Sequence, residues 1–402
     1  MPSLVAWLDA SSEDQRRMRE IVNLFSERDS RDELGVGQVR DALSDTLFPG
    51  TSTLLTRARY MILIPWCFMA AGRGRGTTEA IARRVDDFER SLIPALKADG
   101  DEEGLLGRVA GRGLKNLPSS LYWVALRQFG ILSSPSLAIQ DAIELGSPTL
   151  SEDDEGDGAS RGAWSPTLPA MPVGFPQVTQ GGFELSATES NWLRDRIREG
   201  AEGSLLAHLA EARPDIDSVA PWFDTAARLA SGEPAVALEH ARLFSFSMNG
   251  AALLYNLLLA ERYEELKFDT ITAPVDTYRE RLQDWQEERD RLDEQLAGWN
   301  RGDFWRVVLQ QNPRVAAGSR RFIDNWLDLA ITTDDDLAGS TRSREFIARR
   351  EESHKRSQAR LRNEKLLASW QGSSGAGALV FRWPQIQRIL GDIHDGLERG
   401  DA

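Results

Sequence analysis

Cysteine is almost missing: the 402 residues include one, Cys67. No internal disulfide can form, and no zinc site can be built from a set of thiolates. Cys67 lies inside the apolar run 60–71 (YMILIPWCFMAA), where a buried thiol is expected. Histidine is scarce as well. His208, His240, His354 and His394 stand apart without metal-ligand spacing, and neither HExxH nor GxSxG occurs. Surface or satisfied structural roles are expected for them. The glycines of GRGRGTTEA (72–80) lack the lysine and hydroxyl of a P-loop, so nucleotide hydrolysis is not expected. No cofactor and no metal are expected. Long apolar runs are missing too: 60–71 is too short to cross a bilayer and contains Pro65. The stretch MPSLVAWLDASSEDQ has no basic segment followed by an apolar one, so a cytoplasmic protein without a membrane partner is expected.

What is present fits a globular protein of two or three domains. Hydrophobic residues make up 41% and charged residues 27%, with a net charge of −14. That sign argues against whole-surface attraction to nucleic acid but leaves room for a local basic patch. Lysine occurs only at 97, 115, 267, 355 and 365, among 48 basic residues. With the abundant alanine and glycine, this fits codon usage in a GC-rich bacterial genome.

Helical spacing recurs along the chain. Ser11 and Ser12 cap an expected helix over 11–25, and further helices are expected over 36–47, 54–70 and 77–97. In 102–130 two helical stretches flank a Gly-rich turn, with Pro118 at a helix start and Gly130 at its end. The segment 146–182 is rich in Gly, Pro, Ser and acid and has no period, as in a flexible linker. Beyond it, Ser186 and Glu189 form a capping box. A long apolar helix covers 235–266, a charged hairpin arm or short coiled segment 276–299, and helices 303–311 and 319–330 follow. A basic helix over 343–370, a turn at 372–377, a short strand at 379–383 and a last helix from Pro384 complete the pattern. The expected fold is mainly α. Two helical domains, 1–145 and 183–402, flank the linker, and the first holds a helix-turn-helix at 102–130 within a winged-helix-like element.

Charges, hydroxyls and glycines are densest in 31–66. Asp32, Glu33, Asp41 and Asp45 stand near Arg40, Arg57 and Arg59. Asp41 and Asp45 are four apart, hence on one helical face, a spacing that suits a metal or a buried arginine. The commoner use of such residues is salt bridging and capping, with Arg57 and Arg59 held by those four carboxylates. Pro49-Gly50 followed by Thr51, Ser52 and Thr53 reads as a turn and a helix N-cap, and such a turn also suits a phosphate.

Two segments suit nucleic acid or a protein partner. Helix 118–129 puts Leu121, Tyr122, Ala125, Leu126 and Phe129 on one face and Ser119, Ser120, Trp123 and Arg127 on the other, behind Lys115. A recognition helix is laid out so, and so is an ordinary helical hairpin. Residues 341–365 hold nine basic residues against four glutamates. Glu351 with Lys355 and Glu352 with Arg356 have the favourable i,i+4 order of a solvated helix. Arg349, Arg356 and Arg360, with Arg362 nearby, would still offer a cationic face to phosphates or an acidic partner.

Taken together, DELGVGQVRDALSDTLFPGTSTLLTRARYMILIPW (32–66), LPSSLYWVALRQFGI (117–131), FSMNGAALLYNLLLAE (246–261) and SGAGALVFRWPQIQRILGDIHDGL (374–397) resemble a bacterial family known only as a domain of unknown function. The resemblance covers nearly the whole chain apart from the linker and carries over no catalytic residue. It implies cytoplasmic proteins whose genes lie near helicases and other genome-defence components. The expectation is a non-enzymatic member of a bacterial anti-phage defence or DNA-processing assembly, binding DNA, a helicase or another defence protein. The alternatives are an enzyme with an Asp/Arg/Thr site in 32–59 and a helical scaffold without nucleic acid contact.

Overall fold

The computed structural model describes residues 32–74, 76–100, 102–146, 162–332 and 336–400. The helix expected over 11–25 lies outside them. The protein is mainly helical, with 61% helix, 1% strand and no sheet among the described residues. An isolated bridge between Leu132 and Trp164 is the β feature among the described residues, so no wing accompanies the N-terminal helices there.

The chain forms two compact units, each assembled from two stretches: 1–41 with 242–379, and 42–241 with 380–402. This division differs from the expected 1–145 and 183–402. Two of its three crossings fall within the helices Gly37–Leu47 and Glu233–Glu265, where nothing in the composition marks a break.

In the unit containing 42–241, helix Tyr60–Gly72 has ten buried residues and packs against Thr78–Ala98, Pro118–Gln128 and Ile139–Leu145. It starts at Tyr60, not near Leu54. The Thr56 and Arg57 N–H groups donate to the Tyr122 hydroxyl at 2.8 and 3.0 Å, and Ala58 N–H donates to Asp392 at 2.8 Å. Donors bound this way make no helical turn. Helix Trp383–Glu398 lies against Ala187–Gly200 and Leu205–Glu211. Its Gly396 is necessary there, because a Cβ would fall 2.0 Å from Ser190 Oγ. No strand forms at 379–383: Phe381 (φ 51°) and Arg382 (φ 65°) make a left-handed turn into this helix.

The described part of the expected linker, 162–182, is packed into the same unit. Trp164 sets its ring against Phe68 and Trp123, Trp66 Nε1 donates to Pro169 O at 2.8 Å, and Phe175 is buried against Trp66. Five aromatic rings and the Pro169 carbonyl anchor a stretch whose average composition is that of a loop. Residues 147–161 lie outside the described residues.

In the other unit, helix Glu233–Glu265 supplies the spine from Arg242 onward, with Tyr255 and Tyr263 buried. By length and composition this helix passes for a membrane span, yet 78% of its most apolar window is buried within the protein. Phe246 stacks on Trp285 of helix Pro274–Arg291 and Phe244 on Phe304 of helix Arg301–Gln311. Gly250 lets Trp285 approach: a Cβ there would lie 2.5 Å from the indole. Segment 276–299 is therefore docked through Tyr278, Leu282 and Trp285, unlike a free arm. Helix Ala317–Thr332 is tied to the spine by Trp326 Nε1, which donates to Ser247 O at 2.8 Å. The expected basic helix is interrupted. Helix Thr341–Lys355 ends where Arg356 takes φ 52°, and Glu364–Ala368 is a separate short helix.

Candidate functional site

Asp32, Asp41, Asp45, Thr51, Ser52, Arg57 and Arg59 are each committed to a local or long-range contact. Asp32 accepts from the N–H groups of Val36 and Gly37 at 2.7 and 2.9 Å and so caps helix Gly37–Leu47. Asp41 is exposed and pairs with Arg40 at 2.8 Å. Asp45 pairs with Arg382 at 2.7 Å, and the same guanidinium donates to Thr51 O. Thr51 Oγ1 donates to Phe48 O, and Ser52 Oγ accepts from Leu54 N–H. No helix begins at 51–53, so those hydroxyls close a turn and cap no helix.

Arg57 and Arg59 do meet carboxylates, though not those of Asp32, Glu33, Asp41 or Asp45. Arg57 pairs with Asp392 at 3.0 Å and covers the Phe183 ring at 4.6 Å. Arg59 pairs with Glu189 at 3.1 Å and donates to Gln180 O and Gly182 O at 2.7 Å each. The nearby carboxylates already serve other donors. Burial raises the Asp392 carboxyl above the ordinary aspartate range, opposed by the Arg57 guanidinium and Ala58 N–H. A metal-holding group of three or more His, Cys, Asp or Glu residues does not occur among the described residues.

The basic segment is divided between a buried network and an exposed groove. Arg360 is buried and pairs with Glu33 at 2.9 Å, while Lys355 reaches Glu33 at 3.2 Å. Arg360 also donates to Ser374 Oγ at 2.6 Å. Beside it, buried Glu351 accepts from Tyr255 Oη at 2.7 Å, Arg360 N–H at 2.6 Å and Leu361 N–H at 3.2 Å. Burial pushes the Glu351 carboxyl above the ordinary glutamate range. These three hydrogen bonds force the reversal at 356–361, which removes Arg360 from the face expected to hold Arg349 and Arg356. Arg349 pairs with Glu345 at 2.5 Å and Arg362 with Glu352 at 3.2 Å. Those four residues, with Ala348 and Leu361, line an open groove of about 210 Å³. Arg356 is exposed.

The expected helix-turn-helix is not formed. Between Glu102 and Leu117 the chain makes turns and the 3₁₀ segment Gly111–Gly113, so helix Pro118–Gln128 has no preceding partner in 102–117. The supposed outer face is partly internal. Trp123 is buried with Nε1 donating to Leu137 O at 2.9 Å, and Ser119 N–H and Oγ donate to Glu89 at 2.7 and 2.8 Å. Lys115 and Arg127 remain exposed.

Two features were not singled out by sequence reasoning. Glu89, on helix Thr78–Ala98, is fully buried and caps Pro118–Gln128 in place of a serine or aspartate. Burial pushes its carboxyl up to about 7, with the Ser119 donors opposing. Its signal was a lone glutamate on the apolar stripe Ile81, Val85, Leu92. The second feature is the stretch 213–229, held by Asp224, which is buried and accepts from Asp215 N–H at 2.6 Å and Ala227 N–H at 2.7 Å. His208 Nε2 lies 2.9 Å from Ala226 O and His394 Nε2 2.9 Å from Leu209 O, so both histidines bind backbone.

No curated protein and no solved structure matches the chain. A family model does, over residues 2–397, which takes in all four motifs and both compact units. On that extent of agreement the chain belongs to DUF6361, a family of unknown function.

Proposed function

We propose that this chain is a non-enzymatic cytoplasmic component of a bacterial genome-defence or DNA-processing assembly, which it joins by binding a partner protein and not by gripping DNA. The setting is the one its motifs imply by resemblance. The observation that carries the mode of binding is the internal use of the cations in 341–365. Arg344 pairs with Glu261, Arg349 with Glu345, Lys355 and Arg360 with Glu33, and Arg362 with Glu352. Arg350 donates to Leu34 O at 2.7 Å and covers the Phe322 ring at 4.7 Å. Arg342, Arg356 and Lys365 are the exposed cations of this stretch that form no ion pair among the described residues. Affinity for DNA comes largely from cations that neutralise phosphates, and three spare cations in this stretch, on a chain of charge −14, offer few such contacts.

Gel retention of duplex and of single-stranded DNA, each alone at about 50 mM salt, tests this reading. Neither form should be held at micromolar protein, and co-expression with products of adjacent genes should yield a complex stable in size-exclusion chromatography. DNA retention that weakens in Arg349→Gln/Arg356→Gln/Arg362→Gln would restore direct contact.

A further inference from the structure

The stretch 215–236, in the unit containing 42–241, exposes large apolar side chains that the described residues leave uncovered. Ile216 is 79%, Val219 73%, Phe223 63% and Leu229 75% exposed. Single exposed apolar residues are ordinary, but four in one short stretch indicate an interaction site. The stretch is also rigidly held. Asp224 gathers Asp215 N–H, Ala227 N–H and Ser218 Oγ, and Gln387 Nε2 donates to Asp215 O, Ile216 O and Ser218 O. Trp383 Nε1 donates to Ser218 O at 3.0 Å, and the Trp222 ring meets Phe381 edge-on. A loop fixed by this many bonds cannot fold its own apolar side chains inward, so it presents a preorganised surface whose ordering cost is already met.

Charge selects the occupant. Asp215, Asp217 and Glu233 are exposed in and beside the stretch, against Arg228 and Arg213, the latter held by Asp395 and Glu398. A second copy would bring one acidic rim against another, on chains of charge −14 each. A bacterial inner-leaflet surface is anionic and would be repelled likewise. We propose that Ile216, Val219, Phe223 and Leu229 form a docking surface for a basic amphipathic helix of the partner protein, whose apolar stripe covers the four side chains while its lysines and arginines meet the acidic rim. This deepens the partner-binding reading and rests on it.

The test uses the full chain and two synthetic peptides of about 18 residues sharing one leucine stripe, the first with lysines on its polar face and the second with glutamates. By fluorescence anisotropy the lysine peptide should bind at micromolar concentration and the glutamate peptide at least tenfold more weakly. Ile216→Ser/Phe223→Ser should lose at least tenfold in lysine-peptide affinity with an unchanged melting temperature, because both side chains are exposed. Asp217→Asn/Glu233→Gln keeps the apolar surface and should weaken the lysine peptide several-fold, so the proposal does not depend on one variant. Equal binding by wild type and both variants overturns it, as does equal affinity for the two peptides. Self-association abolished by Ile216→Ser/Phe223→Ser, or binding to anionic vesicles, assigns the surface to another occupant and overturns it too. DNA retention by the same samples would instead count against the functional reading.

Discussion

Arg57 and Asp392 lie 335 residues apart in sequence and form a part-buried ion pair at 3.0 Å. The aspartate accepts Ala58 N–H as well, so one carboxylate fixes both the guanidinium and the backbone leading into helix Tyr60–Gly72. Arg57→Met would leave a buried carboxylate with a single donor and should cost about 3–5 kcal/mol. Asp392→Asn/Arg57→Met should recover part of that loss, because no unpaired charge remains. Urea unfolding of the two single variants and the double variant measures the coupling.

Arg59 holds Gln180 O, Gly182 O and Glu189 together, so it secures the end of 162–182 to helix Ala187–Gly200. In the native protein 162–182 should resist protease, and Arg59→Met should both lower the melting temperature and open this segment to cleavage. Cleavage within 162–182 of the folded wild type at the rate seen in the variant would contradict that anchoring.

Glu89 makes stability depend on pH near neutrality. Its carboxyl titrates near 4.5 unfolded and at about 7 folded, chiefly because burial disfavours the charged form. The folded state therefore binds more protons in this interval, and this contribution is full below about pH 4.5 and lost as pH rises through 7. The loss is on the order of 3 kcal/mol. Glu89→Gln keeps an acceptor for Ser119 N–H and removes the titration. The gap between wild-type and variant denaturant midpoints should shift in the variant's favour from pH 5 to pH 8.

Gly250 and Gly391 are both helical, yet alanine should act in opposite directions at the two. At Gly250 the new methyl meets Trp285 at 2.5 Å, and overpacking should cost about 1–3 kcal/mol. At Gly391 nothing lies within 4 Å, so Gly391→Ala should stabilise by about 0.5–1 kcal/mol through helix propensity. Thermal unfolding of the two variants tests both signs.

Helices could be read from the sequence wherever an apolar stripe, a cap and a breaker agreed. Thr78–Ala98 and Glu233–Glu265 appear within two residues of their expected ends, and Ser186 with Glu189 forms the expected capping box. Local rules failed where a distant group claims the backbone. Tyr122 and Asp392 take the N–H groups of 56–58, and Glu351 takes those of Arg360 and Leu361, ending a helix that its own residues would have continued. Partner choice was unreadable for the same reason. Spacing put carboxylates near Arg57 and Arg59, but helix Trp383–Glu398 and helix Ala187–Gly200 bring the ones used. The aromatic anchors Trp164 and Phe175 were concealed by their polar surroundings, and the apolar residues of 216–229 by having no period.

The Arg57–Asp392 pair also sets a clock on the nascent chain. At roughly 5–20 residues per second, the ribosome needs on the order of twenty seconds to a minute to add the 335 residues between them. Throughout that interval helices Ala187–Gly200 and Leu205–Glu211 lack helix Trp383–Glu398, which covers them in the finished fold, and their apolar surface is available to chaperones or to neighbouring chains. Because each unit is assembled from early and late stretches, neither can be completed co-translationally as an N-terminal half. Closure of the unit containing 42–241 waits for 380–400, and expression yield should respond to chaperone supply more steeply than the stability of the finished fold would suggest.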